Sequence, residues 1–137
     1  ADWGKVGLKV RIVSYEWGEY LRRIKDGEHD IVLIGWTGDN GDPDNWLGVL
    51  YACDAIGSGN YAMWCDPAYD ALIRQARSLT DREQRSVLYR QAQQRLKQQV
   101  PITPMAHSTV NQPLSIRVQG FKTSPFGRNA FSGVSVD

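Results

Sequence analysis

Residues 8–15, LKVRIVSY, set Leu8, Val10 and Ile12 against Lys9 and Arg11. That period of two predicts a strand. The next apolar positions, Trp17, Tyr20, Leu21 and Ile24, recur at i, i+3, i+4 and i+7. They form one face of a helix, with Gly27 placed as its C-terminal stop. Residues 31–34, IVLI, are a short unbroken apolar run of the kind found in strands covered on both faces. Strand, helix and strand in this order predict a βαβ unit, with parallel strands and a right-handed crossover.

Three more helices are expected. The first starts near Asp42-Pro43 and carries Trp46, Leu47, Val49 and Leu50. The second has Asp66 as N-cap and Pro67 at its first position, with Tyr69, Leu72, Ile73 and Ala76 on one face. The third opens on Thr80-Asp81-Arg82-Glu83, read as a capping box, and its stripe runs through Val87, Leu88, Ala92 and Leu96 to a stop at Pro101. Its other faces are rich in Gln, Arg and Lys, which suits a solvated surface better than a nucleic-acid patch. Beyond Pro101, ITPMAHSTV reads as a strand. The remaining tail is loop-rich with short strands. It holds little that could form a core, so it is expected to dock on something else, such as a domain outside these residues.

Composition narrows the class. The chain has 137 residues, 42% hydrophobic and 23% charged, with a formal net charge of +1. That fits one globular domain and not a disordered chain. It lacks the basic excess of a dedicated nucleic-acid binder. No apolar stretch approaches the roughly 18 to 20 residues that span a bilayer, and no signal-peptide pattern is present. The opening ADWGKVGLKV looks like a helix end entering a strand, as expected of a fragment or a processed piece.

Cys53 and Cys65 are separated by a loop rich in Gly, Ser and Asn. A local disulfide in an exported protein is the favoured reading, and two free thiols the alternative. The spacing fits neither a CxxC redox pair nor a zinc site, and His29 and His107 lack metal-ligand spacing. No metal or cofactor is expected.

The loop GWTGDNGDPDN, residues 35–45, concentrates Asp39, Asp42 and Asp44. It fails the EF-hand pattern: counted from Asp39, the third, fifth and sixth positions are Gly41, Pro43 and Asp44. Asp42 is placed to cap the following helix, and Asp44 lies in its first turn, where negative charge suits the helix dipole. Asp39 has no such explanation. In open parallel α/β sheets ligands bind beyond the carboxyl ends of the strands. Trp17 follows the first expected strand and Asp39 the second. The pair would suit a ligand with an amino group and some apolar surface. The alternative makes Trp17 and Trp36 core aromatics and Asp39 a turn former. An enzyme using Asp39 and Asp42 as an acid/base pair ranks low, because no nucleophile and base pair lies nearby.

The stretch YEWGEYLRRIKDGEHDIVLIGWTGDNGDPDNW, the segment NYAMWCDPAYDALI, the cysteine pair and the AHSTV and SPFGRNAF tail motifs together resemble the periplasmic dipeptide-binding proteins of bacterial ABC importers. These belong to the larger group of peptide and oligopeptide solute-binding proteins. The resemblance runs over essentially the whole chain. It implies a periplasmic-binding-protein-like α/β fold of class II, in which two lobes enclose the ligand. Only its C-terminal part is matched: residues 1–113 as part of the second, ligand-binding lobe, and residues 114–137 as the return onto the first. It implies that Asp39 binds the α-amino group of a peptide and that Trp17 lines the pocket. The main chain at Trp36, Thr37 and Gly38 would pair with the extended peptide. The group holding the peptide carboxylate would lie upstream of residue 1. It implies a Cys53–Cys65 disulfide, a periplasmic location, and no catalysis. The implied partners are a dipeptide or short peptide, an inner-membrane ABC permease and the N-terminal part of the same protein. Similar proteins carry haem, metal chelates, short glycans or opines, and these stand as alternative cargoes.

Overall fold

The computed structural model describes residues 2–137. After a short helix α1, Asp2–Lys5, the elements are α2 (Trp17–Lys25), α3 (Asp44–Tyr51), a 3-10 turn (Cys53–Ala55), α4 (Pro67–Ser78), α5 (Arg82–Gln99), and strands β1 (Val118–Gln119) and β2 (Ser135–Val136).

The caps follow from local chemistry. Glu16 accepts hydrogen bonds from the N–H groups of Gly18 and Glu19 and so starts α2. Gly27 follows its C-cap at φ 72°, a conformation glycine takes without a Cβ clash. Asp66 accepts from the N–H groups of Ala68 and Tyr69, with Pro67 at the first turn of α4, as expected. The cap of α5 lies one residue later than expected. Asp81 rather than Thr80 accepts a hydrogen bond, from Gln84 N–H at 2.8 Å. Helix α5 ends at Val100, whose backbone is left-handed (φ 51°). The following Pro101 disfavours the helical region there.

The core lies between α3, α4 and α5. Leu47, Tyr69, Ile73, Ala76, Leu88, Tyr89, Ala92 and Leu96 form one buried cluster, edged by Tyr51, Trp64, Leu72 and Leu79. The Tyr69 hydroxyl donates to the Leu47 carbonyl at 2.7 Å and ties α4 to α3. Val87 does not join the expected stripe. It is exposed, and Tyr89 fills the core instead.

The loop between the cysteines is packed onto this unit. Cys53 and Cys65 are disulfide-bonded with Cα atoms 4.6 Å apart. Asn60, fully buried, donates to the carbonyls of Ala52 and Trp64. Asp70 accepts the Cys53 N–H at 3.0 Å. Closing a loop this short contributes roughly 2 to 3 kcal/mol in the chain-entropy account.

The expected strands are corrected. Residues 8–15, 31–34 and 102–110 carry no strand ladder. Among the described residues the one sheet is antiparallel, pairing Val118 with Val136 and Gln119 with Ser135. The expected βαβ unit is therefore not closed within the chain. The physical reason is that alternation specifies which face a segment would bury, while a strand needs a partner backbone. Without one, the apolar side chains stay in solvent, and Ile12 is 88% exposed.

Candidate functional site

The acidic loop is positioned from two sides. On its C-terminal side α3 fixes it. Asp42 accepts the Asp44 N–H at 2.9 Å, although the cap position itself is Pro43. Asp44 lies in the first turn of α3, as expected. Both carboxylates are then neutralised by neighbouring helices. Arg85 of α5 reaches both oxygens of Asp42, at 2.9 and 2.7 Å, and also donates to the Ala76 carbonyl and the Tyr89 hydroxyl. Arg77 of α4 binds Asp44 at 2.8 Å, and the absence of a side chain at Gly48 leaves room for that pair. Burial raises the Asp42 carboxyl, but the Asp44 N–H and the Arg85 guanidinium outweigh it and hold the group below its ordinary range. A cavity of about 290 Å³ lies among Asn40, Asp42, Asp44, Asn45, Arg77 and Arg85. Its charges are already paired, so these two aspartates serve the architecture of the loop.

Asp39 is different. Its carboxylate is about half exposed (48%). Asn45 of α3 holds the residue twice. The Asn45 Oδ1 accepts the Asp39 N–H at 2.8 Å, and its Nδ2 faces Asp39 Oδ2 at 3.4 Å. The same Oδ1 lies 3.4 Å from the Trp36 indole nitrogen. One side chain thus sets Trp36 and Asp39 together. Gly38 is buried beneath Trp46. A Cβ there would sit 2.8 Å from the Trp46 Nε1, so only glycine fits without moving the ring. Thr37 lies near the tail: a Cβ on Gly127 would be 3.4 Å from its methyl group.

Trp17 is the first residue of α2 and is 62% exposed. Its ring stacks on Tyr20, with centroids 5.7 Å apart. The Tyr20 hydroxyl donates to the Leu33 carbonyl at 2.6 Å, which anchors α2 to the segment leading into the acidic loop. Neither Trp17 nor Trp36 is a core residue in this chain. Trp36, Gly38 and Asp39 are thus gathered around Asn45 and Trp46, and Trp17 is linked to them through Tyr20 and the Leu33 carbonyl.

Two site residues were not anticipated from sequence: Asn45 and Arg128. The Arg128 Nη2 donates to Asp39 Oδ1 at 3.0 Å across 89 residues of chain. Nothing local to FGRN signals that contact. Asn45 carried a weak signal, as a polar residue in the first turn of a helix directly after the loop.

Residues 1–58 match the family described as bacterial extracellular solute-binding proteins, family 5 Middle. The chain is 64% identical over 135 residues to the Dipeptide-binding protein of Pseudomonas aeruginosa, covering 98% of the chain and 25% of that relative. The chain belongs to this family. It is also 49% identical to Heme-binding protein A of Haemophilus influenzae, over 100% of the chain and 25% of that relative. Its fold matches the crystal structure of a dipeptide-binding protein from a Pseudoalteromonas species in complex with Met-Leu. There the TM-score is 0.90 at 36% identity, covering 99% of this chain and 27% of that one. The periplasmic-binding-protein-like fold is therefore shared, and the family 5 chain here spans about a quarter of the length of the relatives it matches. The disulfide expected from the resemblance is present.

Proposed function

We propose that these residues form part of the ligand-gripping wall of a solute-binding protein that captures dipeptides or short peptides between two lobes and delivers them to an ABC permease. Residues 1–113 then belong to the ligand-binding lobe and residues 114–137 to the return onto the other, so that the Arg128–Asp39 contact spans the cleft. The location is the periplasm of a bacterium, and no chemistry is performed on the cargo. Relatives named for dipeptide binding, and a solved neighbour bound to Met-Leu, support this reading.

The observation that carries it is the state of Asp39. It is fixed by Asn45 at its backbone, half exposed, and among the described residues balanced by one solvent-exposed arginine. A carboxylate in that state is ready for a cation. When a second lobe closes over it, water leaves, and an unpaired carboxylate becomes costly. A peptide ammonium restores the pairing with a charge-assisted hydrogen bond. The main chain of Trp36, Thr37 and Gly38 supplies side-chain-independent pairing to an extended peptide, and Trp17 provides an apolar plate. The relative named for haem binding supports a second reading, with another cargo in the same cleft.

The test is titration calorimetry on the protein expressed at the full length of its relatives. Asp39→Asn is expected to weaken dipeptide affinity more than about tenfold, or ~1.4 kcal/mol. Unchanged affinity would remove Asp39 from the site.

A further inference from the structure

We propose that Arg128 is the resident counter-cation of Asp39, holding the oxygen that the ligand's ammonium must take and thereby setting affinity for amine-bearing ligands. This rests on the reading of Asp39 as an amine clamp.

The tail loop 124–129 is built to reach this place. Asn129 Oδ1 accepts the Ser124 N–H at 3.1 Å, Ser124 Oγ accepts the Phe126 N–H at 3.2 Å, and the Ser124 carbonyl accepts the Gly127 N–H at 3.4 Å. Gly127 turns the chain at φ 69°. This turn sits over the acidic loop. Phe126 lies 3.9 Å from where a Cβ on Gly41 would be, and Gly127 faces the Thr37 methyl group. Arg128 follows directly and meets Asp39.

How Arg128 is held decides its role. Arg85 is locked to Asp42 through both carboxylate oxygens and is tied further to the Ala76 carbonyl and the Tyr89 hydroxyl. Arg128 makes one hydrogen bond to Asp39, from one terminal nitrogen, and its side chain is 80% exposed. Such a contact is weak and easily exchanged for water. The two oxygens of Asp39 are also unequal. Oδ2 faces Asn45, which belongs to α3, while Oδ1 is held by the movable arginine. An ammonium arriving at Oδ1 therefore competes with Arg128 and afterwards lies beside a like charge. A neutral ligand, or one with a blocked amine, gains nothing from displacing it.

The experiment is a double-mutant cycle on the full-length protein, with free and N-acetylated dipeptide titrated into wild type, Asp39→Asn, Arg128→Gln and the double variant. Arg128→Gln is expected to tighten the free dipeptide about two- to fivefold, the size of a lost exposed ion pair. The same change should weaken the N-acetylated ligand, which leaves Asp39 without any cation, and both effects should vanish when Asp39 is already Asn. Arg128→Lys keeps the charge and is expected to stay near wild type. If Asp39→Asn weakens binding but Arg128→Gln leaves it unchanged or weakens it, the competition is refuted and the amine clamp stands. If Asp39→Asn itself has no effect, the clamp fails and this inference falls with it.

Discussion

The helical unit α3–α5 and the segments 8–15, 31–34 and 102–110 all carry patterned apolar residues in sequence but end in opposite states. In the helical unit the apolar stripe of each helix meets another, and Ile73 is 1% exposed. In those segments the apolar residues find no partner strand, and Ile12 is left in solvent. A helix satisfies its own backbone and needs only a face to bury, whereas a strand depends on a neighbouring chain for every hydrogen bond. The stability of this chain should therefore reside almost wholly in the helices.

That contrast has measurable consequences, most simply in denaturant unfolding of the chain. Ile73→Ala removes a fully buried side chain from the α4–α5 interface and is expected to cost about 2 to 5 kcal/mol. Asp66→Ala comes next, at about 1 to 2 kcal/mol near neutral pH, because it strips the cap from α4 and the partner from Arg95. Burial raises the Asp66 carboxyl, yet Arg95 and the N–H groups of Ala68 and Tyr69 hold it net below its ordinary 3.8. A folded-state value below the unfolded one stabilises above about pH 4 and loses that stabilisation as pH falls. The difference between wild type and Asp66→Ala should thus shrink between pH 5 and pH 2, on the order of the carboxylate range. The smallest effect is expected from Ile12→Ala, within about 0.5 kcal/mol. A large loss at Ile12 would mean that segment 8–15 is packed and that the contrast is wrong.

The same division explains what was legible in the sequence. Asp66-Pro67, Gly27 and the Tyr69/Ile73/Ala76 stripe act within one or two turns, so their pattern stated the structure directly. The cap of α5 slipped from Thr80 to Asp81 because both residues are good caps and the choice between them lies in one backbone angle. Val87 and Tyr89 lie about 200° apart around α5, on either side of Leu88, and the placement of α4 decides that the Tyr89 side is buried. The βαβ expectation took the periodicity of Leu8, Val10 and Ile12 as a strand and assumed a neighbour that this chain does not supply. In the site, Asp39 stood out because local capping explained Asp42 and Asp44 but not it. Arg128 was hidden by distance, since 89 residues separate it from Asp39 and no local rule links the two.

The central claim is that Asp39 takes the amino group of a short peptide. It is tested most directly by calorimetric titration of the full-length protein with a simple dipeptide and then with its N-acetylated form. The account predicts tight binding of the free dipeptide and a loss of at least about tenfold on acetylation, as the carboxylate is left without its ammonium. Equal affinity for the two forms would contradict it.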